Sequence, residues 1–213
     1  MIVGFLLTAV VAYFVGSLPT GYLVARVKGV DLRAHGSGNI GATNAFRVLG
    51  KGPGIFVLLV DALKGAAAVK WVPLWFSAPM TAEAAAYLPL VAGVGAILGH
   101  NYTCWLRFKG GKGVATTAGV MGALLPWALV IALSTWFLVL LLTRYMSIAS
   151  IVAALALPVG TAFTTSNRAL WALAAVLGGL AIWRHRGNIQ RLRAGTEPRF
   201  EFGGKRSAKL TPS

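Results

Sequence analysis

Long apolar runs are the feature of this sequence that most limits how the chain can fold. The first 25 residues contain no charged side chain, and similar runs follow at 54–72, 84–106, 114–142, 147–165 and 169–183. A helix needs about 20 apolar residues to cross the hydrocarbon core of a bilayer. Charged residues make up only 12% of the chain, about half of what a soluble domain usually carries. The sequence therefore predicts an all-α fold, a polytopic membrane helix bundle.

The number of crossings depends on the run 114–142, which is longer than one span needs and has Pro126 near its middle. As one span, it gives six crossings and puts the basic C-terminal tail opposite the first basic loop. As two short helices, it gives seven crossings, or five full spans plus a re-entrant pair. The loops on one side then hold all but three of the 20 Lys and Arg residues. Because basic loops prefer the cytoplasm, we predict about seven transmembrane helices, with the N-terminus outside and the C-terminus cytoplasmic.

We expect residues 1–202 to form a single integral membrane domain. The segment that follows is polar and basic, so 203–213 is predicted to be a disordered cytoplasmic tail. A net charge of +15 on so hydrophobic a chain indicates cytoplasmic anchoring, contact with anionic membrane lipid, or an anionic substrate. Nucleic acid is a poor partner for a membrane bundle, and none is predicted.

The first basic loop combines flexible glycines with hydrogen-bonding and charged side chains. Glycines at 36, 38 and 41 let the backbone approach a ligand closely and adopt positive φ, and successive free N–H groups can form an anion-binding nest. A flexible linker is the alternative, but linkers seldom mix Asn, Thr and Arg this densely with Gly. The loop supplies the candidate binding residues Ser37, Gly38, Asn39, Thr43, Asn44 and Arg47.

The sharpest local signal is FKGGKG, residues 108–113. A glycine loop at the start of a helix presents unpaired N–H groups to an anion, and a lysine adds a compact positive charge. The segment is not a nucleotide-binding P-loop, because GxxxxGK[ST] and a preceding strand are missing. A positive-inside anchor is the alternative, although anchoring does not need three glycines. The candidate phosphate-binding residues are Lys109, Gly110, Gly111, Lys112 and Gly113.

The last basic segment begins with RHRGN after the final apolar run. His185 and Asn188 are three residues apart and share one helical face, and a histidine exchanges protons near neutral pH. An amphipathic interfacial helix explains the segment equally well. Within the membrane, Asp61 and Lys64 are expected to pair as structural groups, and Ser150 is expected to face the site.

No cofactor and no metal site are predicted. The five acidic residues form neither a DxD nor a HExxH pattern, and no cofactor fingerprint is present. Chemistry at such a site would depend on anion binding, hydroxyl groups and a histidine.

Four segments together resemble the bacterial acyl-phosphate:glycerol-3-phosphate acyltransferase family. They are GSGNIGATNAFRVLGKGPG (36–54), DALKG (61–65), GHNYTCWLRFKGGKGVAT (99–116) and RHRGNIQRLRAGTE (184–197). Each motif alone is weak, but the ordered set is specific and extends over nearly the whole chain. The resemblance implies a seven-helix enzyme of the bacterial cell inner membrane, whose acyltransferase domain fills 1–202 and has its active site at the cytoplasmic face.

The resemblance also implies an activity. A fatty acyl group would pass from acyl phosphate to the sn-1 hydroxyl of glycerol 3-phosphate, giving 1-acylglycerol 3-phosphate and phosphate. This is the first acylation step of phospholipid synthesis, and the peripheral enzyme that makes acyl phosphate is a candidate partner. Positions that match the family's catalytic residues are Ser37, Arg47, Lys112, His185 and Asn188. The segment from Gly110 to Gly113 matches a phosphate-binding loop.

Three other classes of membrane protein are alternatives to this interpretation. A transporter for a phosphorylated anion would place its broken segments at the midplane of the membrane, whereas the glycine loops here lie at the ends of spans. A non-enzymatic scaffold with basic lipid-binding loops is the second alternative, and it predicts that Lys112→Ala or Arg47→Ala would only weaken contact with lipid, whereas an acyltransferase would lose nearly all turnover. CDP-alcohol phosphotransferases are disfavoured because their clustered metal-binding aspartates are missing.

Overall fold

The computed structural model describes residues 1–78 and 80–201, and in these ranges the chain forms helices and no β-strand. The predicted all-α class is therefore confirmed, while the predicted tail 203–213 lies outside the described residues. Short 3₁₀ turns occupy Leu32–Ala34, Val72–Trp75 and Cys104–Leu106. The α-helices are α1 Ile2–Ser17, α2 Thr20–Val27, α3 Ala42–Leu49, α4 Lys51–Trp71, α5 Ala82–Ala85, α6 Leu88–Asn101, α7 Val114–Leu124, α8 Pro126–Thr143, α9 Met146–Thr164, α10 Arg168–Arg184 and α11 Arg186–Arg193.

Several of these helices have the length and composition of membrane spans. Among the described residues, four stretches qualify on both criteria, Ile2–Val27, Ala82–Leu106, Pro126–Thr143 and Met146–Thr164. They carry many large apolar side chains on their outer surface, including exposed Phe14, Phe137 and Phe163, as lipid-facing helices do. The protein is therefore membrane-embedded, whereas the number of seven crossings and the side of each terminus stay predictions.

The run 114–142 is divided into two helices. Leu125 leaves the helical conformation, with φ −144° and ψ 73°, and Pro126 begins α8. Proline lacks the N–H that would continue the preceding helix, and its ring disfavours a helical conformation for the residue before it. The chain therefore does not form one continuous helix here, which is the arrangement that would give six crossings. The first of the two helices, α7, has only 11 residues, shorter than a full span.

Small residues let α1 and α6 pack with their backbones in contact. Gly95 lies beside Ala12, and one turn further along both helices Gly99 lies against Ser17, so the two helices run in the same direction. A Cβ atom at Gly99 would overlap the carbonyl oxygen of Tyr13. Since α1 and α6 are parallel, the break between α1 and α2 lies beside the loop that follows α6, and Thr103 Oγ1 donates to the Ser17 carbonyl oxygen at 2.6 Å.

A buried ion pair ties α4 to the break between α1 and α2. Lys64 Nζ lies 2.8 Å from Asp61 Oδ1 and donates a hydrogen bond of 2.8 Å to the carbonyl oxygen of Leu18. Asp61 Oδ1 also accepts from Thr20 Oγ1 at 3.0 Å. The two charges neutralise each other where an unpaired charge would be costly, as the sequence predicts. This pair therefore fixes α4 against the end of the first span.

The close contact between α1 and α6 generates a stability prediction. We expect Gly16→Ala to lower the free energy of unfolding by about 1–3 kcal/mol, because its Cβ atom would overlap the backbone of Ala96. The matched control is Gly179→Ala in α10, where a Cβ atom meets nothing within 4 Å and helix propensity favours alanine. Thermal unfolding of both variants in the same detergent measures the difference. Equal midpoints for the two variants would contradict this packing.

Candidate active site

A cavity opens at the end of the bundle where the loop between α2 and α3 and the loop after α6 meet the start of α11. Its lining has an apolar part, formed by Leu58, Val114, Trp136 and Met146. The other part is polar and carries positive charge. It includes these residues predicted from the sequence: Ser37, Asn39, Thr43, Asn44, Arg47, Lys112, Gly113, Ser150, His185 and Asn188. Segments far apart in the chain thus contribute to one site, although the function of each residue stays a prediction.

Four candidate residues do not line this cavity. They are Gly38, Lys109, Gly110 and Gly111, which are absent from its wall, and the Lys109 side chain is exposed. The two adjacent glycines were expected to present free N–H groups. Instead, Gly110 N donates to the Asn101 carbonyl oxygen at 3.1 Å and Gly111 N donates to that of His100 at 3.0 Å. The loop folds back onto the end of α6, which sequence periodicity does not reveal.

The two asparagines of the first loop organise its backbone. Asn44 is buried, donates to the carbonyl oxygens of Leu32 and His35 at 3.1 and 3.0 Å, and accepts from Ser37 N at 2.9 Å. Asn39 Oδ1 accepts from the N–H of Gly41 at 2.8 Å, at the entry to α3. Both amide groups line the cavity, as residues predicted to bind substrate should. The bonds of Asn44 are used to hold the loop, whereas the Nδ2 of Asn39 makes no hydrogen bond to the described residues, so substrate binding by these groups stays a prediction.

Hydroxyl groups at the cavity differ in their availability. Within the described residues, Ser37 Oγ and Thr43 Oγ1 make no hydrogen bond, so both are available to a ligand. Ser150, by contrast, donates to the Met146 carbonyl oxygen at 2.8 Å and accepts from Trp136 Nε1 at 3.2 Å. Ser150 faces the cavity as expected, but its hydroxyl is occupied in orienting the indole of the apolar wall.

Two helices begin at the cavity wall. Gly41 and the first residues of α3 form one part of the lining, and Gly113 and the first residues of α7 form another. The first N–H groups of a helix have no acceptor within the helix, and the helix dipole makes this end favourable for an anion. Gly113 has φ +80°, a left-handed conformation that favours glycine and lets the chain turn from Lys112 into α7. The cavity therefore offers two anion-binding helix ends.

A chain of polar contacts connects Lys112 to the C-terminal segment. Lys112 Nζ donates to Asn188 Oδ1, and Asn188 Nδ2 donates to Glu197 Oε1 at 2.6 Å. Arg191 Nε donates to Glu197 Oε2 at 2.8 Å. Sequence reasoning missed Glu197, which is buried and lines the cavity. Its signal was available, because it is one of only two acidic residues in a strongly basic segment.

Burial shifts the pKa values of two bases in the cavity wall, Lys112 and His185. It lowers the pKa of Lys112 to about 8, and nearby arginines, among them Arg47 and Arg191, act in the same direction while Glu197 partly opposes them. It also lowers the pKa of His185 to about 4, with Lys112 adding to the effect. The His185 imidazole is thus neutral at pH 7, whereas Lys112 is mostly protonated.

The tautomer of His185 follows from its hydrogen bond. His185 Nδ1 lies 2.7 Å from the carbonyl oxygen of Ala181. A carbonyl oxygen only accepts, so Nδ1 carries the proton and Nε2 is left as an acceptor. His185 Nε2 is therefore free to accept a hydrogen bond from a bound hydroxyl group. With its pKa lowered to about 4, the ring is a weak base in the free protein, because general-base catalysis is most effective when the pKa of the base lies near the working pH.

The chain is similar to proteins of known activity. The family model described as glycerol-3-phosphate acyltransferase matches residues 6–195. The glycerol-3-phosphate acyltransferase of Fusobacterium nucleatum is 44% identical over 195 residues, covering 91% of this chain and 96% of the relative. That of Geobacter sulfurreducens is 46% identical over 197 residues, covering 92% and 97%. The chain also resembles a crystal structure of PlsY, an integral membrane glycerol 3-phosphate acyltransferase in its glycerol 3-phosphate form, with 38% identity, a TM-score of 0.84 and coverage of 92% and 96%.

The environment of Lys112 generates a titration prediction. We expect its reaction with an amine-selective acylating reagent, followed by peptide mass spectrometry, to rise with a midpoint near pH 8 because only the neutral amine reacts. Saturating inorganic phosphate should slow the reaction and move the midpoint upward, since a bound anion favours the ammonium form. A midpoint near the ordinary value of 10.5 that does not respond to phosphate would contradict this description of the cavity.

Proposed function

The chain belongs to the glycerol-3-phosphate acyltransferase family, and we propose that its acyl donor is an acyl phosphate and its acceptor the sn-1 hydroxyl of glycerol 3-phosphate. As a member of this family it is an integral membrane enzyme that makes lysophosphatidic acid. The proposed products are 1-acylglycerol 3-phosphate and inorganic phosphate. The reaction is the first acylation step of phospholipid synthesis, and it needs no cofactor.

One observation carries the choice of donor: a single cavity contains two helix N-termini together with Arg47 and Lys112. One phosphate group needs only one such arrangement. Glycerol 3-phosphate accounts for the first, and a donor that itself carries a phosphate group accounts for the second. We assign Arg47, the hydroxyl groups of Ser37 and Thr43, and the start of α3 to one phosphate. Lys112 and the start of α7 are assigned to the other.

The positive groups offset the repulsion between the two substrates. At a separation of about 4 Å and an effective dielectric constant of about 20, two unit charges of the same sign repel by about 4 kcal/mol. A cation at a similar distance from each phosphate contributes attraction of the same size. Within the described residues, Lys112 forms no ion pair, and its direct partner is the neutral amide of Asn188. Its charge therefore remains available to the phosphates.

The apolar wall supports a donor with a long alkyl chain. Leu58 and Val114 line the cavity and are 44% and 37% exposed, so this part of the wall offers apolar surface that other side chains do not cover. In the proposed complex the acyl chain lies along this surface and extends into the membrane. The hydrophobic effect favours this placement by about 0.8 kcal/mol for each buried methylene group.

The proposed chemistry is direct attack by the bound hydroxyl group. The sn-1 oxygen forms the new ester bond to the acyl carbon, the bond from that carbon to the phosphate oxygen breaks, and inorganic phosphate leaves. The hydroxyl proton has two acceptors in the proposed site, His185 Nε2 and a phosphate oxygen. Holding both reactants in place supplies part of the roughly 7–11 kcal/mol available from orientation, so no covalent intermediate with Ser37 is required.

The cellular setting follows from the distribution of charge. The loops that line the cavity belong to the segments that the predicted seven-crossing topology puts on the basic side of the membrane, and basic loops prefer the cytoplasm. We therefore place the active site at the cytoplasmic face of the bacterial inner membrane. Acyl phosphate reaches this face from the peripheral enzyme that makes it, which is the proposed partner.

An activity assay tests this function. Purified protein in lipid, given palmitoyl phosphate and glycerol 3-phosphate, should release phosphate in equal amount to the lysophosphatidic acid formed. Lys112→Met should reduce kcat/KM by about 10²–10³-fold, the usual cost of removing one charge-stabilising donor. The matched control is Lys109→Met on the same loop, whose exposed side chain lies outside the cavity. It should keep more than half of the activity.

Acyl-CoA tested in parallel identifies the donor. Product formation from acyl-CoA, with no phosphate released from palmitoyl phosphate, would overturn the proposed donor while leaving the family assignment intact. Equal losses in Lys112→Met and Lys109→Met would instead contradict the assignment of Lys112 to the cavity.

A further inference from the structure

We propose that Arg184 is a positioning residue that holds the 107–113 loop against the start of α11 and so fixes Lys112 relative to His185 and Asn188. The proposal rests on the proposed function, in which Lys112 binds a substrate phosphate. Arg184 is absent from the cavity wall, so any effect it has on the reaction is exerted through the residues that it holds.

The guanidinium group of Arg184 binds two adjacent carbonyl groups of the loop. Its Nε donates to the Gly111 oxygen at 3.1 Å, and its Nη2 donates to the oxygens of Gly110 and Gly111 at 3.1 and 2.7 Å. The planar fork of an arginine serves neighbouring acceptors together, which a lysine ammonium does not reproduce. The last residue of α10 is thus connected to both glycines directly before Lys112.

The opposite edge of the same loop is fixed to α6. The N–H groups of Gly110 and Gly111 are bound by carbonyl groups at the end of that helix. A Cβ atom at Gly110 would overlap the carbonyl oxygen of His100, and one at Gly111 would overlap its ring. The two glycines therefore permit a close approach, with α6 binding their N–H groups and Arg184 binding their C=O groups.

The Arg184 side chain is itself held in place. Its guanidinium carbon lies 5.0 Å from the centre of the Tyr102 ring, a cation–π distance. The carbonyl group of Tyr102 accepts from Tyr13 Oη at 2.6 Å, so this contact extends to α1. Within the described residues Arg184 forms no ion pair with a carboxylate, and its partners are neutral carbonyl groups and an aromatic ring.

The position of Arg184 in the chain gives this contact its consequence. His185 directly follows Arg184 in the sequence. Asn188, the partner of Lys112, lies four residues after Arg184. One guanidinium group therefore connects the segment that carries Lys112 to the segment that carries His185 and Asn188. A shift of about 1 Å in the placement of catalytic groups can cost about 100-fold in rate. We accordingly expect Arg184 to affect turnover strongly without contacting substrate.

Two substitutions and one control test this role. Arg184→Gln removes the charge and the fork, and Arg184→Lys keeps the charge but not the fork. The control is Arg186→Gln, which removes an exposed arginine two residues away whose guanidinium carbon lies 4.9 Å from the Trp183 ring. We expect kcat/KM to fall by about 100-fold in Arg184→Gln and by about tenfold in Arg184→Lys, and to change less than twofold in Arg186→Gln.

A second measurement, made without substrate, separates positioning from general folding. The charged and titratable groups that face Lys112 are Glu197, Arg191, Arg47, Arg184 and His185. In Arg184→Gln the loop is released to solvent and one neighbouring positive charge is removed. Both changes should move the labelling midpoint of Lys112 upward from about 8 by about one unit or more. Arg186→Gln should leave the midpoint unchanged.

The outcomes are distinguishable. If Arg184→Gln does not fold, the proposal stands or falls on Arg184→Lys at an unchanged unfolding temperature. A folded Arg184 variant with the kcat/KM of the wild-type protein would overturn the proposal. A folded Arg184→Gln variant with reduced kcat/KM but an unchanged labelling midpoint for Lys112 would also overturn it. If wild-type protein releases no phosphate from acyl phosphate, the proposed function fails, whereas the midpoint shift still reports on the contact between Arg184 and the loop.

Discussion

The site depends on a lysine that is held where water reaches it poorly. Lys112 has a neutral amide as its direct partner, and burial lowers its pKa to about 8. A charge that has lost part of its hydration without gaining a matching carboxylate is stabilised when an anion arrives. In the free protein the environment is unfavourable for the Lys112 charge, and a bound phosphate group stabilises that charge. Affinity for phosphate is in this sense built into the fold.

The helix packing makes such a placement possible. Contacts between glycine residues and neighbouring backbones bring α1 and α6 close together, and the buried pair of Asp61 and Lys64 fixes α4 against them. The carbonyl groups at the end of α6 then bind the N–H groups of Gly110 and Gly111, and Arg184 at the end of α10 binds the carbonyl groups of the same loop. The loop is thus held from two sides. This double attachment presents a single ammonium group at a defined place in the cavity.

The sequence alone predicted the helical class, the apolar spans and the segments that form the cavity. Those predictions depend on length, hydrophobicity and local spacing, which are properties of short stretches. The fate of individual hydrogen-bonding groups was not predictable in this way. Asn44 and Gly111 were expected to serve a ligand, but their bonds are made to the chain itself. The hydrogen-bond partner of such a group depends on segments that meet only after folding. For the same reason, the hydrogen bond between Glu197 and Asn188 could not be predicted from the sequence.

In the proposed mechanism both phosphates occupy the cavity at once, and the hydroxyl group attacks the acyl carbon directly. Steady-state kinetics in which the concentrations of acyl phosphate and glycerol 3-phosphate are both varied distinguish this mechanism from a two-step transfer. Double-reciprocal plots of the initial velocities should then give lines that intersect, as expected for a reaction that passes through a ternary complex. Parallel lines, which indicate that phosphate leaves before glycerol 3-phosphate binds and that an acylated enzyme forms, would contradict this mechanism.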